Sequence, residues 1–294
     1  MKPVEPCVMP PADLIETWKN AGGKFGWMRP KETVRVAWRY GGNPGKSPGE
    51  VPGFEFRECP PGLVASLPEP NVPFGLYLRA TKLTDSTMKE IGSFKSLWSL
   101  DVAGTPVTDA GIRELPRLKS LRLLNLGSTK ISDAAVKDVA RLKDLRWLLL
   151  GSTVLKDDAL KHLAGLRALE LLDLGGTQVT DSGLEDLADL ATLQSLTLTR
   201  TNVADDGLKH LSRLSSLVDL DLAESKVTDV GMAHVAELRS LKTLVLRATQ
   251  VTDGALALLS GIKSLRDLNL YQTKVTDVGA AGLLQALPKL KLFR

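Results

Sequence analysis

One pattern returns every 24 residues, and it restricts the possible folds more than any other feature of the chain. One apolar strand position falls at Leu78, Val102, Leu126, Leu150, Leu174, Leu198, Leu222, Leu246 and Leu270, nine copies at constant spacing. The cleanest copy, Leu121 to Asp144, reads LRLLNLGSTKISDAAVKDVARLKD. A last strand, Leu287-x-x-Leu290-x-Leu292, ends the chain after a repeat shortened by two residues. A fixed period of this length is the mark of a stacked repeat architecture, in which no unit can bury its apolar face alone.

Each repeat predicts three parts. The first six residues form a short strand whose leucines point inward. A threonine or serine then turns the chain inward, at Thr81, Thr105, Thr129, Thr153, Thr177, Thr201, Ser225, Thr249 and Thr273. Its buried hydroxyl requires a partner, expected among the turn's backbone groups. An aspartate then opens a short helix, with pairs such as Leu184 and Leu187 on the inner face. About five or six buried side chains per repeat, at ~1.5–3 kcal/mol each, make the unit stable only in a stack. Parallel strands lie ~4.8 Å apart whereas helices need ~8–10 Å. The expected stack therefore curves to the right-handed side, with the sheet concave and the helices convex.

The first seventy residues differ. Pro11 to Asn20 reads as a short helix stopped at Gly22-Gly23, with Leu14, Ile15 and Trp18 on one face. Thr33 to Tyr40 alternates with a period of two and predicts a strand. Gly41 to Gly53 is a turn-rich loop. Its Gly45-Lys46-Ser47 lacks the upstream glycine and following helix of a phosphate loop. Phe54-x-Phe56-x-x-Cys59 keeps the spacing of the later repeats with Phe for Leu and Cys for Thr. It predicts a degenerate half-repeat, paired antiparallel with the upstream strand. The expected division is a cap over residues 1–72 and a solenoid over 73–294.

These repeats resemble leucine-rich repeats. The form Leu-x-x-Leu-x-Leu-x-x-Thr-x-Val-Thr-Asp-x-Gly-Leu is similar to the subclass abundant in planctomycete bacteria, and to ribonuclease-inhibitor-like repeats in its convex helices. The leader Ala-Gly-Gly-x-x-Gly-Trp-Met also resembles the segment preceding such repeats. The resemblance implies an α/β fold class, a right-handed leucine-rich-repeat solenoid with a concave parallel β-sheet, convex short helices and an N-terminal α/β cap. It implies protein or ligand binding and no fixed activity.

Chemistry-bearing residues receive structural readings. The nine aspartates Asp85, Asp109, Asp133, Asp157, Asp181, Asp205, Asp229, Asp253 and Asp277 suggest calcium, but each opens a helix, where a carboxylate favours the dipole and free N–H groups. His162, His210 and His234 share one convex position at helix spacing, too far apart for zinc. No serine or cysteine sits beside a histidine in a nucleophile motif. The expectation is therefore no catalytic residue, no metal and no cofactor. Cys7 and Cys59 form no metal pattern and read as reduced thiols. The net charge of +4 follows largely from cations at helix ends, such as Arg117, Lys119, Arg141 and Lys143. Nucleic acid is not expected. No apolar run reaches the ~20 residues of a membrane span, and no signal peptide is read, so a cytoplasmic setting is the expectation if Met1 is the native start.

What remains variable lies on the strands' outward positions. Leu123, Trp147, Leu149 and Leu171 are expected to stand exposed together, flanked by Trp98, Arg122, Arg146 and Asp173. A contiguous apolar patch marks a binding site, and tryptophan is enriched in hot spots. Asp219, Asp221, Glu224, Arg200 and Arg247 make the later half polar. The chain reads as a non-catalytic scaffold binding a protein or peptide through the concave sheet. The alternative is a self-associating solenoid whose apolar patch is a homo-oligomer contact.

Overall fold

A computed structural model describes residues 8–30, 36–40 and 51–294. The chain forms two compact units, residues 1–153 and 154–294. In the first, helix α1 (Ala12–Asn20) precedes strands β1 (Lys24–Pro30), β2 (Val36–Tyr40) and β3 (Val51–Glu55). Strand and helix then alternate as β4 (Phe74–Tyr77), α2 (Asp85–Ile91), β5 (Leu97–Asp101), α3 (Asp109–Ile112), β6 (Leu123–Asn125), α4 (Asp133–Val139) and β7 (Trp147–Leu149). β3 to β7 pair in parallel, each strand with the next. The register is constant: Phe54, Leu76, Leu100, Leu124 and Leu148 are successive partners. Phe54 thus takes the place that leucine takes in the repeats that follow.

The hairpin differs from expectation. β2 pairs antiparallel with β1, and β1, not β2, pairs antiparallel with β3. Lys24–Pro30 contains Gly26 and ends in proline, local turn signals that give it no strand reading from sequence. Tertiary pairing makes it a strand, with Trp27 buried. The predicted strand residues 33–35, the Lys46 loop and Cys7 lie outside the described residues. Trp18 fastens α1 to the sheet. It is fully buried, stacks on Phe54 at 4.4 Å, meets Phe74 and Phe94 at 5.8 and 5.9 Å, and donates Nε1–H to the Pro68 carbonyl at 3.0 Å. Cys59, in the half-repeat's threonine position, is buried, and that burial pushes its thiol pKa up to about 11.

The second unit repeats the same grammar. It contains α5 (Asp157–Leu163), β8 (Leu171–Asp173), α6 (Asp181–Leu184), β9 (Ser195–Thr197), α7 (Asp205–Leu211) and β10 (Asp219–Asp221). α8 (Asp229–Val235), β11 (Thr243–Val245), α9 (Asp253–Leu259), β12 (Asp267–Asn269), α10 (Asp277–Ala286) and β13 (Lys291–Phe293) complete it. β8 to β13 are parallel and in register through Leu172, Leu196, Leu220, Leu244, Leu268 and Leu292.

The turn hydroxyls bond as expected, each to the carbonyl three residues back. Thr129 Oγ1 donates to Leu126 at 2.6 Å and Thr249 Oγ1 to Leu246 at 2.6 Å. The residue before each such threonine or serine is left-handed: Ala80, Gly104, Ser128 and Ser152 in the first unit, then Gly176, Arg200, Glu224, Ala248 and Gln272. Two of the nine are glycine, so seven side chains sit in a conformation that costs roughly 1–2 kcal/mol without compensation. Ala248→Gly is expected to raise unfolding stability by about 1 kcal/mol, because Ala248 has φ 55° and glycine adopts it freely. Urea unfolding measures the shift in midpoint.

The aspartate column does more than favour its own helix. In most of the described copies the carboxylate reaches the next repeat. Asp205 Oδ1 accepts from the Thr228 N–H at 2.8 Å and the Gly231 N–H at 2.9 Å, while Oδ2 accepts from Thr228 Oγ1 at 2.6 Å. Asp85 holds Thr108, Asp109 holds Ser132, Asp229 holds Thr252 and Asp253 holds Thr276 with the same two-oxygen geometry. The glycine two residues after the aspartate leaves room for this approach. A Cβ on Gly231 would lie 2.5 Å from Asp205 Oδ1. Ala204 breaks the rule: lacking a hydroxyl, it receives Asp181 through its N–H alone, at 2.7 Å. Ala204→Thr restores the second bond and an N-cap oxygen, and is expected to stabilise by about 1 kcal/mol in the same urea assay.

Candidate functional site

The sheet face away from the helices carries the side chains outside the repeat grammar. In the first unit these form one row through Gly75, Ser99, Leu123 and Trp147, and another through Tyr77, Asp101, Asn125 and Leu149. The expected exposed apolar patch is mostly covered. Leu123 is 1% exposed and Leu149 7%, whereas Trp98 and Trp147 are half-buried. Register explains this. Leu123 lies in line between Ser99 and Trp147 on strands ~4.8 Å apart. The indoles of Trp98 on β5 and Trp147 on β7 meet at 5.5 Å, tilted by 46°, and so close over the intervening strand. Trp98 also packs on Val51 and Tyr77, a small apolar cluster on this face. The surface offered is a pair of indoles, with the leucines beneath.

The flanking arginines are engaged. Arg122 donates to the Lys119 and Leu121 carbonyls, both at 3.2 Å, and pairs with Asp144 at 3.2 Å. Arg266 in the second unit makes the same clip to Lys263 and Leu265. Arg122 therefore belongs to the way a strand is entered as much as to any surface. The Arg146 guanidinium lies over the Trp147 ring at 6.0 Å, a cation–π contact.

Leu171 and Asp173 lie in the second unit. Leu171 is 4% exposed beside Ser195, which corrects its expected exposure. Asp173 is half-buried, and its Oδ1 accepts from the Gly175 N–H at 2.8 Å. Burial raises its pKa, the Gly175 bond opposes the rise, and the Asp221 charge adds to it. The Gly175 bond has copies. Asp101, Asn125, Asp221 and Asn269 each accept from the N–H two residues on, at 2.9–3.0 Å. This column closes the turn after the strand, as Asx side chains do. Glu224 is likewise occupied. Its carboxylate sits between Arg200 and Arg247, and the Arg200 hydrogen bond holds its pKa low.

The residues that sequence reasoning passed over are Tyr77 and Asp101. Asp101 is fully buried on the sheet face. It accepts from the Ala103 N–H at 3.0 Å, from Asn125 Nδ2 at 3.0 Å and from the Tyr77 hydroxyl, with Arg79 Nε at 3.9 Å. Burial dominates, and its pKa is raised despite these partners. The Tyr77 hydroxyl is pushed well above its ordinary range by burial and then by Asp101. The signal available was position alone: Tyr77, Asp101 and Asn125 share one strand site in successive repeats. Among the described residues, no cluster of His, Cys, Asp and Glu has the arrangement to hold a metal ion. No described helix is long and apolar enough to cross a membrane.

Known proteins agree with this architecture. The family model described as Leucine Rich repeat matches residues 166–188, one repeat of the second unit. The fold is that of a leucine-rich-repeat solenoid. Internalin C2 from Listeria monocytogenes is similar in structure at 26% identity, with TM-score 0.56, covering 71% of this chain and 84% of its own. The internalin InlF from the same organism is similar at 20% identity, with TM-score 0.55, covering 81% and 77%. No curated protein matches the sequence. These likenesses are to the α/β leucine-rich-repeat solenoid fold, whose parallel strands and short helices the two units repeat.

The buried Asp101 gives a signed pH dependence. Its folded pKa lies above the unfolded value of ~3.9. Such a group contributes most below the unfolded pKa, and that contribution is lost as pH rises through the folded value. The stability of the wild type relative to Asp101→Asn is therefore expected to increase as pH falls from neutrality toward ~4. Paired urea unfolding series across that range check the sign.

Proposed function

We propose that this protein is a non-catalytic recognition scaffold that binds a protein or peptide partner on the open face of its sheet, centred on Trp98 and Trp147. Leucine-rich-repeat stacks commonly serve as extended binding surfaces. The observation that carries the reading is the half-buried indole pair, standing where the neighbouring apolar groups Val51, Tyr77, Leu123 and Leu149 are covered. Tryptophan presents a large rigid surface at little entropic cost, which suits an interface anchor. Leu123, Leu149, Arg122 and Arg146 then support the indoles; Leu171 and Asp173 lie in the second unit and are not part of this centre. Residues 1–72 act as a cap, a reading that the burial of Trp18 against Phe54 and Phe74 supports. The Thr-Asp-x-Gly linkage supports placing the repeats in the Val-Thr-Asp-x-Gly-Leu subclass.

Leu149 is buried, so its substitution would disturb packing. Trp147→Ser is the cleaner test. It is expected to lower the urea midpoint modestly while the chain stays folded, and to reduce partner capture by about tenfold or more, the effect of a hot-spot truncation. Undiminished capture from lysate in a quantitative pull-down would remove this site. Self-association through the same indoles is the second reading. Light scattering separates the two, because a dimer that Trp147→Ser dissociates supports self-association.

A further inference from the structure

The edge of the first unit where the chain enters the strands is cationic as well as aromatic. Lys95, Lys119 and Lys143 are exposed in the turns before β5, β6 and β7, one per repeat. Their ammonium groups have no ion-pair partner among the described residues. Arg122 and Arg146 follow three residues after the second and third of these lysines, and Trp98 holds the matching place in the first repeat. Five cations thus stand along the edge. Two carboxylates share it, and both are occupied: Asp144 pairs with Arg122, and Glu69 accepts from the Ser96 N–H. On the far side of the indoles, Arg79 is 57% exposed beside Tyr77. Of the acids on this face, Asp101 is fully buried, and Glu55, in register with Tyr77 on β3, is half-buried and engaged.

The second unit shows that this combination is not merely repeat grammar. Its strand-entry turns carry Arg167, Arg239 and Lys263, but the positions matching Trp98 hold Glu170, Gln194, Val218, Lys242 and Arg266, and those matching Trp147 hold Leu171, Ser195, Asp219, Thr243 and Asp267. Its open face presents Asp173, Asp219, Asp221 and Asp267, all half-buried. Cations and indoles coincide in the first unit, over a face with one half-buried acid, Glu55, where the second unit has four.

We infer that the first unit takes an acidic segment of its partner, with an apolar side chain on Trp98 and Trp147 and flanking carboxylates on the lysine edge. This rests on the binding-scaffold reading and adds the chemistry of the partner. The geometry suits an extended chain. The strands that these lysines precede lie ~4.8 Å apart, so from the first to the third is ~10 Å, which three residues of extended peptide cover at ~3.3 Å each. Charge complementarity of this kind sets specificity and association rate.

A random twelve-residue peptide library, panned on the full chain and counter-panned on Trp147→Ser, tests the inference. The enriched peptides are expected to carry an aromatic or aliphatic residue flanked by Asp or Glu. The best of them is expected to lose affinity by about tenfold or more against the Lys119→Glu, Lys143→Glu variant, and to weaken as salt rises from about 50 to about 300 mM. Neutral or basic peptides, no enrichment, or no effect of charge reversal would overturn it. So would an oligothymidine probe binding more tightly than the best peptide, which would point to nucleic acid instead. If Trp147→Ser abolishes partner capture but the enriched peptides are not acidic, the scaffold reading stands and only the acidic partner falls. If capture survives that substitution, the site itself falls.

Discussion

The structure depends on a carboxylate that bonds to the following repeat. Leucine burial drives the repeats together, but burial is non-directional and sets no register. The aspartate–threonine link supplies direction. Asp205 binds two backbone N–H groups and one hydroxyl of the next helix start, 23 and 26 residues on. Charge-assisted hydrogen bonds of this kind are short and demanding in geometry. Each one joins two repeats at a fixed offset, and the donors it satisfies are those that a helix N-terminus leaves orphaned. Helices of four to seven residues are too short to persist alone. Here each is fixed at its first turn by its neighbour. The Thr-Asp-x-Gly signature is therefore best read across repeats: the aspartate belongs with the threonine and glycine of the copy that follows.

The same logic explains the tolerance of left-handed side chains. Ser128, Arg200, Glu224 and Gln272 occupy a backbone region that favours glycine. The turn is over-determined around them. The residue after each buries a hydroxyl bonded to a carbonyl three back. Their own N–H groups are held in several copies by the next repeat's turn carbonyl, as Ser128 is by Gly151 and Glu224 by Arg247. Freed from the need for glycine, the position is open to variation. Glu224 uses it to place a carboxylate between Arg200 and Arg247.

The period and the strand leucines made the architecture legible, because both faces of the repeat are written in residue type at fixed spacing. Lys24–Pro30 was not legible as a strand. Its glycine and proline are local turn signals, and only pairing to both β2 and β3 overrides them. The aspartates were legible as helix-start residues, but their link to the next repeat was not, since a distance of 23 residues becomes a contact only after stacking. The candidate site was half legible. Trp98 and Trp147 were named from their positions, but the covering of Leu123 follows from a contact between residues 49 apart in sequence. An outward position on a strand is not an exposed one when its neighbours across the sheet are indoles.

This changes what variation between repeats means. Asp101, Asn125, Asp173, Asp221 and Asn269 look like differences worth recognising, yet each closes its own turn through the same hydrogen bond. Arg122 looks like a flanking charge, yet Arg266 clips its strand entry identically. A side chain is informative about a partner only after such duties are subtracted. Subtraction leaves little in the first unit: two indoles, and a line of lysines whose charge serves no described contact. It also leaves Asp101, whose burial on the open face opposes its ionisation. A carboxylate kept there costs stability unless its partners recover it. Its partners, Tyr77 and Asn125, are the neighbours in register on either side, so the buried acid ties three strands together directly beneath the surface that the indoles present.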